Sequence, residues 1–316
     1  MPDAGAQWHP AFFLALSRKS CHVSFCADFD LACSIARLFV YPVKSCAGIE
    51  VPQALLTDTG LEWDRAWMVV DTMGHALTQR TLPRMALVQP SLQLQSNLLL
   101  LQAPDRPPLA VPLALSGSSV RVRVWDDQVQ ARDAGDAAAL WFSDFLAQPC
   151  RLVRFNPAGL RRASPDWAAG TEAHFQFADA FPLLVASTAG LDALNVQLAA
   201  VGEAIVGMER FRPNLVLGGI EAHEEDWLET LNNQAHTGID GVVQLVLTKP
   251  CVRCPVPDID PCSAVPGTQV GDALRRYRQD ARMGGALTFG MNAVVRAGMG
   301  EMLWAGQPLT ANYRFG

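Results

Sequence analysis

The segment SVRVRVWDDQVQARD, residues 119–133, constrains the fold more than any other stretch of the chain. Val120, Val122 and Val124 alternate with Arg121 and Arg123. A period of two belongs to a strand with one face in a core and one in solvent. Neighbouring runs read the same way. In IARLFVYPVKS, Leu38 and Val40 alternate with Phe39 and Tyr41 until Pro42 ends the ladder. VPQALLTDTGLEWDRAWMVVDTMGHALTQR holds two or three strands, with turns at Thr59–Gly60 and Met73–Gly74. LQLQSNLLLLQAP, CRLVRFNP and GVVQLVLTKP continue the pattern. The strands are short and do not alternate with helices. That excludes a doubly wound parallel sheet and predicts barrel-like β structure, mainly β with some α (α+β).

Helical periodicity is confined to a few windows. GDAAALWFSDFLAQP gathers Leu140, Phe142, Phe145 and Leu146 on one side before Pro149 closes it. FPLLVASTAGLDALNVQLAA is an apolar strand followed by a helix, with Ser187 or Thr188 as N-cap. GDALRRYRQD is a short helix, and ALTFGMNAVVRAG is a last strand or hairpin.

With 316 residues, half of them hydrophobic and 18% charged, the chain has ample core material for two domains or one large one. Twenty-five Lys and Arg against 31 Asp and Glu give a net charge of -6. No long basic run offers a sequence-blind grip on nucleic acid. No stretch approaches the ~20 apolar residues that span a bilayer. HPAFFLALS is short, and Arg18 and Lys19 follow it, the reverse of a signal peptide. Residues 1–34 read as a poorly ordered extension or an upstream start. No G-x-G-x-x-G follows a strand and no G-x-x-x-x-G-K-[ST] is present, so nucleotide folds have no support.

The eight cysteines do not form the dense framework of a small secreted domain, and they read as reduced thiols in a cytoplasmic protein. Cys251 and Cys254 stand three apart in KPCVRCPVPDIDP. A structural zinc site or iron–sulfur cluster needs four ligands, and no second pair exists. A redox dithiol belongs at a helix N-terminus, whereas a strand leads in here and Pro255 and Pro257 follow. Buried thiols acting as small hydrophobes suit Cys46, Cys150 and the N-terminal three. Cys254 differs, because it follows a strand end between prolines with Arg253 beside it, an electropositive place for a soft thiolate ligand.

Five motifs occur in order: YPVKSCAGIEV, GLEWDRAWMVVD, FPLLVAS, RFRPNLVL and KPCVRCPVPDIDP. Together they resemble the MOSC-domain proteins over residues 35–309. The subfamily resembled carries an N-terminal MOSC β-barrel domain before the MOSC barrel and includes the mitochondrial amidoxime-reducing component and bacterial proteins that detoxify N-hydroxylated bases. The resemblance implies an N-terminal β-barrel-like domain over residues 35–155 and a MOSC domain over residues 156–316. It implies a molybdenum cofactor, Mo-molybdopterin, with Cys254 as the protein's ligand to the metal and Cys251 as a neighbour without a metal bond.

Cofactor-binding candidates follow by motif position. Lys44 and Ser45 lie in the loop after Pro42, and Arg65 and Arg212 present planar forks for phosphate or pterin. Asn214 can donate and accept on a pterin edge, Ser187 and Thr188 open a helix as an anion site, and Asn292 is a polar neighbour of the cofactor. On chemistry alone Lys44 is a solvated loop lysine, Arg65 and Arg212 are surface ion pairs, and Ser187 is a helix cap. Asp258 and Asp260 read as Asx-turn residues. The six histidines form no metal-binding motif.

The implied reaction is reduction of small N-hydroxylated compounds by a molybdoenzyme. Bacterial relatives often add a ferredoxin-like domain, but no cysteine follows Cys262 here. Electrons are therefore expected from a separate protein, a reductase, ferredoxin-like or cytochrome b5-like donor. LETLNNQAHTGIDG reads as longer than in typical members, which alters access to the site. Two other readings stay open: a sulfur carrier with a persulfide on Cys254, and a non-enzymatic cofactor carrier.

Overall fold

A computed structural model describes residues 29–159, 161–233 and 241–314. Most of the N-terminal extension, and residues 234–240 of LETLNNQAHTGIDG, lie outside the described residues.

Seven strands close into a barrel. Around it run Leu183–Ser187, Leu215–Gly218, Leu31–Val40, Pro308–Tyr313, Leu228–Asn233, Gln244–Val252 and Ala286–Ala297, which pairs back onto Leu183–Ser187. Only the pair Leu183–Ser187 and Leu215–Gly218 is parallel within this ring. A parallel pair needs a crossover, and the helix Thr188–Ala199 supplies part of it. Strand begins at Leu31, ahead of the boundary drawn at Ile35. This first strand is a stave of the barrel otherwise built from residues 183–313, so the polypeptide enters the second β unit before it builds the first.

The alternation in that strand explains its place. Leu38 and Val40 face the barrel interior with Val185, Leu217, Leu247, Met291 and Leu309. Phe39 and Tyr41 face outward, under a cover of Leu194 and Leu198 from one helix and Val270 and Leu274 from Gln269–Tyr277. Both faces are apolar because both are buried.

Residues 67–155 make the other β unit, whereas Ile49–Val51 pairs with the first strand and Gln53–Thr57 with Met302–Trp304. One sheet runs Trp67–Asp71, Cys150–Phe155, Asp127–Asp133, Ser119–Val124, and a second runs Gln89–Gln93, Leu98–Gln102, Leu109–Pro112. The segment 119–133 is a hairpin. Val122 and Val124 are buried while Arg121 and Arg123 are exposed, as the period of two requires. At its tip Trp125 adopts φ 55°, a left-handed conformation uncommon for a bulky residue.

The helix Asp136–Leu146 packs on this unit with Ala138, Trp141, Phe142, Phe145 and Leu146. Leu140, expected on that face, is 65% exposed. A turn of 3.6 residues puts 138, 141, 142 and 145 on one stripe and carries 140 round to the solvent side. Trp141 fills the place and donates its indole N–H to Pro107 O at 2.8 Å.

Candidate functional site

Three left-handed corners bring the site together. Ser45, Arg65 and Arg212 have φ of 65°, 47° and 60°. Such conformations cost roughly 1 kcal/mol or more each for residues with a Cβ, and they persist where the surrounding structure holds them. Here backbone contacts do so. Lys44 N–H donates to Trp67 O at 2.8 Å, and Arg65 N–H donates to Tyr41 O at 2.8 Å. The short strand Gly60–Leu61 leads into this region, and Gly60 is required there. Its φ is +103° and a Cβ would lie 2.3 Å from Pro182 O.

The two arginines are tied to each other and to the first strand. Arg65 Nη1 donates to both oxygens of buried Asp64, at 2.7 and 2.6 Å. Asp64 Oδ1 also accepts from Tyr41 N–H at 2.9 Å. Arg65 Nη2 donates to Arg212 O at 3.0 Å, and Arg212 Nη1 donates to Cys46 O at 2.6 Å. Both guanidinium carbons stand 4.3 Å from the centroid of the buried Tyr41 ring. Burial, reinforced by the Arg65 charge, pushes the Arg212 guanidinium down to about 10.

Lys44 is buried. Its ammonium donates to Phe177 O at 2.8 Å and pairs with Asp179. Burial pushes Lys44 below its ordinary value, against the pull of Asp179. On the Asp179 carboxyl burial acts upward, but the Lys44 charge and hydrogen bonds from Lys44 and Trp125 hold it well below the usual carboxylate range.

These side chains line a cavity of about 270 Å³ with Cys254, Asn214 and Asn292. Cys254 is half-buried, just past the strand Gln244–Val252. Cys251 is on the same wall. Arg253, expected beside the Cys254 thiol, instead donates to Cys251 Sγ at 3.0 Å. Its backbone N–H is pinned to Leu287 O at 2.8 Å and its Nη2 to Phe211 O at 2.9 Å, which aims the guanidinium back along the strand. Among the described residues no group of three or more His, Cys, Asp or Glu is placed to hold a metal ion.

Two cofactor candidates fall elsewhere. Ser187 is fully buried, donates to Glu225 Oε2 at 2.6 Å, and accepts from Gly190 N–H at 3.1 Å as the N-cap. Thr188 directs its hydroxyl to Leu217 O at 3.4 Å. Neither lines the cavity, because that helix start is already satisfied by its own cap and a buried acid. Asn214 lines it, but its amide is mostly committed. Oδ1 accepts from Leu184 N–H at 3.1 Å and from Arg65 Nη1 at 3.3 Å, and Nδ2 donates to Phe39 O at 3.3 Å. It braces Arg65 and leaves little for a pterin edge. Asn292 Nδ2 donates to Lys249 O at 3.2 Å. Asp260 forms the expected Asx turn, accepting from Cys262 and Ser263 N–H, whereas Asp258 accepts from Gly271 N–H in the helix Gln269–Tyr277.

The structure adds Gln79, Arg80, Asp179 and Lys249 to the lining. Lys249 opens the cysteine motif and was legible there. Gln79 and Arg80 end a strand-rich segment far from it in sequence, and only the fold brings them in.

Six cations, Lys44, Arg65, Arg80, Arg212, Lys249 and Arg253, face this cavity against one carboxylate, Asp179. Lys44 and Arg65 have ion pairs, and the other four have none among the described residues. The buried Arg253 Nε has no hydrogen-bond partner. An excess of cation without ion pairs beside two half-buried thiols fits a ligand that joins an anionic group to a soft, sulfur-seeking centre.

The MOSC N-terminal beta barrel domain matches residues 32–149 and the MOSC domain matches residues 172–310. The mitochondrial amidoxime reducing component 2 of Homo sapiens is 34% identical over 255 residues, covering 78% of this chain and 72% of the relative. The molybdenum cofactor sulfurase of Danio rerio is 32% identical over 284 residues, covering 82% of this chain but 32% of that protein. Among solved structures, the YUAD protein from Bacillus subtilis matches with a TM-score of 0.43 and 9% identity, over 90% of this chain and 98% of that one. The two domain matches in tandem, with a relative at 34% identity of which this chain covers 72%, show that the chain belongs to the MOSC family, in the branch with a MOSC N-terminal β-barrel domain.

Proposed function

We propose that this protein is an oxidoreductase that holds a molybdenum cofactor and reduces small N-hydroxylated compounds with electrons from a separate protein. The carrying observation is the pairing in one cavity of a half-buried thiol, Cys254, with four cations that lack counter-ions. Relatives named for amidoxime reduction support the reaction class.

Cys254 would bind the metal as a thiolate. Lys44, Arg65, Arg212 and the Ser45 corner would hold the anionic end of the pterin, and Asn292 would flank it. The bound cofactor supplies a soft redox metal, chemistry that no side chain lining the cavity offers. The chain's own contribution is position and field. The Arg65–Asp64 and Lys44–Asp179 pairs fix two cations, and unpaired Arg212 and Arg253 favour anion entry. The overall change is R–NHOH plus two electrons and two protons to R–NH2 plus water. The electrons come from the external donor and the protons from solvent. No helix among the described residues is long and apolar enough to cross a membrane.

Protein made in a host that produces the cofactor should carry near-stoichiometric molybdenum and pterin fluorescence and should reduce benzamidoxime with an artificial reductant. Cys254→Ala should retain the fold and lose bound molybdenum. A variant with full metal and full turnover refutes the assignment. A sulfur-carrier role is the second reading, favoured by two thiols on one wall and by the sulfurase relative. Persulfide on Cys254 in metal-free protein would select it.

A further inference from the structure

A second, more open cavity of about 380 Å³ adjoins the first. Lys44 and Arg80 line both. Its other walls are His75, Thr78, Thr81, Arg123 and Trp125. Trp125 is the tip of the hairpin, 47% exposed and held in its left-handed conformation. Three contacts fix it there. The indole N–H donates to Asp179 Oδ1 at 3.1 Å, Arg123 Nε donates to the Trp125 carbonyl at 3.0 Å, and the Arg80 guanidinium carbon lies 4.2 Å from the ring centroid. Asp179 in turn holds Lys44, which lines the inner cavity. A continuous line of contacts, Lys44–Asp179–Trp125–Arg80, therefore forms the sill between the two spaces.

Isolated exposed tryptophans are common and carry nothing. This one is clamped at a strained backbone position, tied to the inner cavity by a hydrogen bond, and paired with a guanidinium that has no ion pair among the described residues. A rigid aromatic ring stacked with a guanidinium that has no ion pair among the described residues suits a flat conjugated group that also carries negative charge. The hydroxyls of Thr78 and Thr81 add adaptable hydrogen bonding on the same wall.

We propose that this outer cavity seats the organic body of the substrate, and that Trp125 and Arg80 select planar aromatic compounds bearing an acidic group. The proposal rests on the reductase reading for its link to turnover. The cavity's binding chemistry does not depend on that reading.

The test uses three probes: 4-carboxybenzamidoxime, benzamidoxime and acetamidoxime. Calorimetric titration into the purified full chain measures binding, and steady-state reduction measures KM and kcat. Wild type should bind in that order of affinity. Trp125→Ala should weaken both aromatic probes about tenfold and leave acetamidoxime unchanged. Trp125→Phe should recover most of that loss, since the ring face survives without the N–H. Arg80→Gln should abolish the preference for 4-carboxybenzamidoxime over benzamidoxime, bringing the two affinities in the calorimetric titration to within about twofold of each other. Circular dichroism establishes that each variant is folded. Equal affinity of wild type and folded Trp125→Ala for both aromatic probes overturns the proposal, as does an Arg80→Gln protein that keeps the preference. Probe binding with these mutational effects in a protein that never reduces any of them sinks the reductase reading and leaves this site standing.

Discussion

Glu225 offers the sharpest test of where Ser187 belongs. The carboxyl is fully buried, accepts from Ser187 Oγ at 2.6 Å through Oε2, and has no partner at Oε1. Burial pushes it up from 4.5 to about 7, and the neighbouring Asp226 adds to the effect while Ser187 and Arg278 oppose it. An acid whose folded value is raised stabilises the folded state below the unfolded value and loses that stability as pH rises through the folded one. The window is therefore pH 4.5 to 7. At about 1.4 kcal/mol per pH unit over this window, ionisation costs the folded state about 3 kcal/mol by pH 8.5. Glu225→Gln keeps an acceptor for Ser187 and cannot ionise. Urea unfolding followed by tryptophan fluorescence should show the variant within about 1 kcal/mol of wild type at pH 5 and about 3 kcal/mol more stable at pH 8.5. His223 is pushed down to about 4 by burial and by Arg278, but it is present in both proteins and cancels in the comparison. A difference that stays constant between the two pH values refutes the buried-acid account and returns Ser187 to the list of anion-site candidates.

Asn214→Ala strands the buried Leu184 N–H and Phe39 C=O, and should cost about 2–3 kcal/mol in denaturant unfolding. Phe142→Ala should cost about 3–5 kcal/mol and Leu140→Ala under about 0.5 kcal/mol by the same assay, since the first is buried and the second solvated. Arg212→Gln should reduce pterin retained through purification at least tenfold, on the order of one charged hydrogen bond. Its unfolding free energy should stay within about 1 kcal/mol of wild type, because a buried cation without a carboxylate partner adds little stability.

Period-two patterning, motif order and residue chemistry were enough to establish a β-rich protein and to name seven of the residues that line the cavity. Leu38 against Phe39 and Val122 against Arg123 are local alternations, and a strand satisfies them whatever lies elsewhere. Lys44, Arg65, Arg212, Asn214, Asn292 and Cys254 are far apart in the chain, and their motifs pointed to one chemistry before any distance was known. Three matters needed the tertiary structure. The Leu31–Val40 strand joins a barrel whose other staves begin more than a hundred residues later, and strand pairing at that separation leaves no local signature. Ser187 looks like an anion site from its helix-cap position, yet the buried carboxylate of Glu225 claims its hydroxyl. Arg253 sits beside Cys254 in sequence, but a bond to Phe211 O turns it onto Cys251. In each case the deciding partner is distant in the chain. Sequence specifies which groups are available, and packing decides which of them meet.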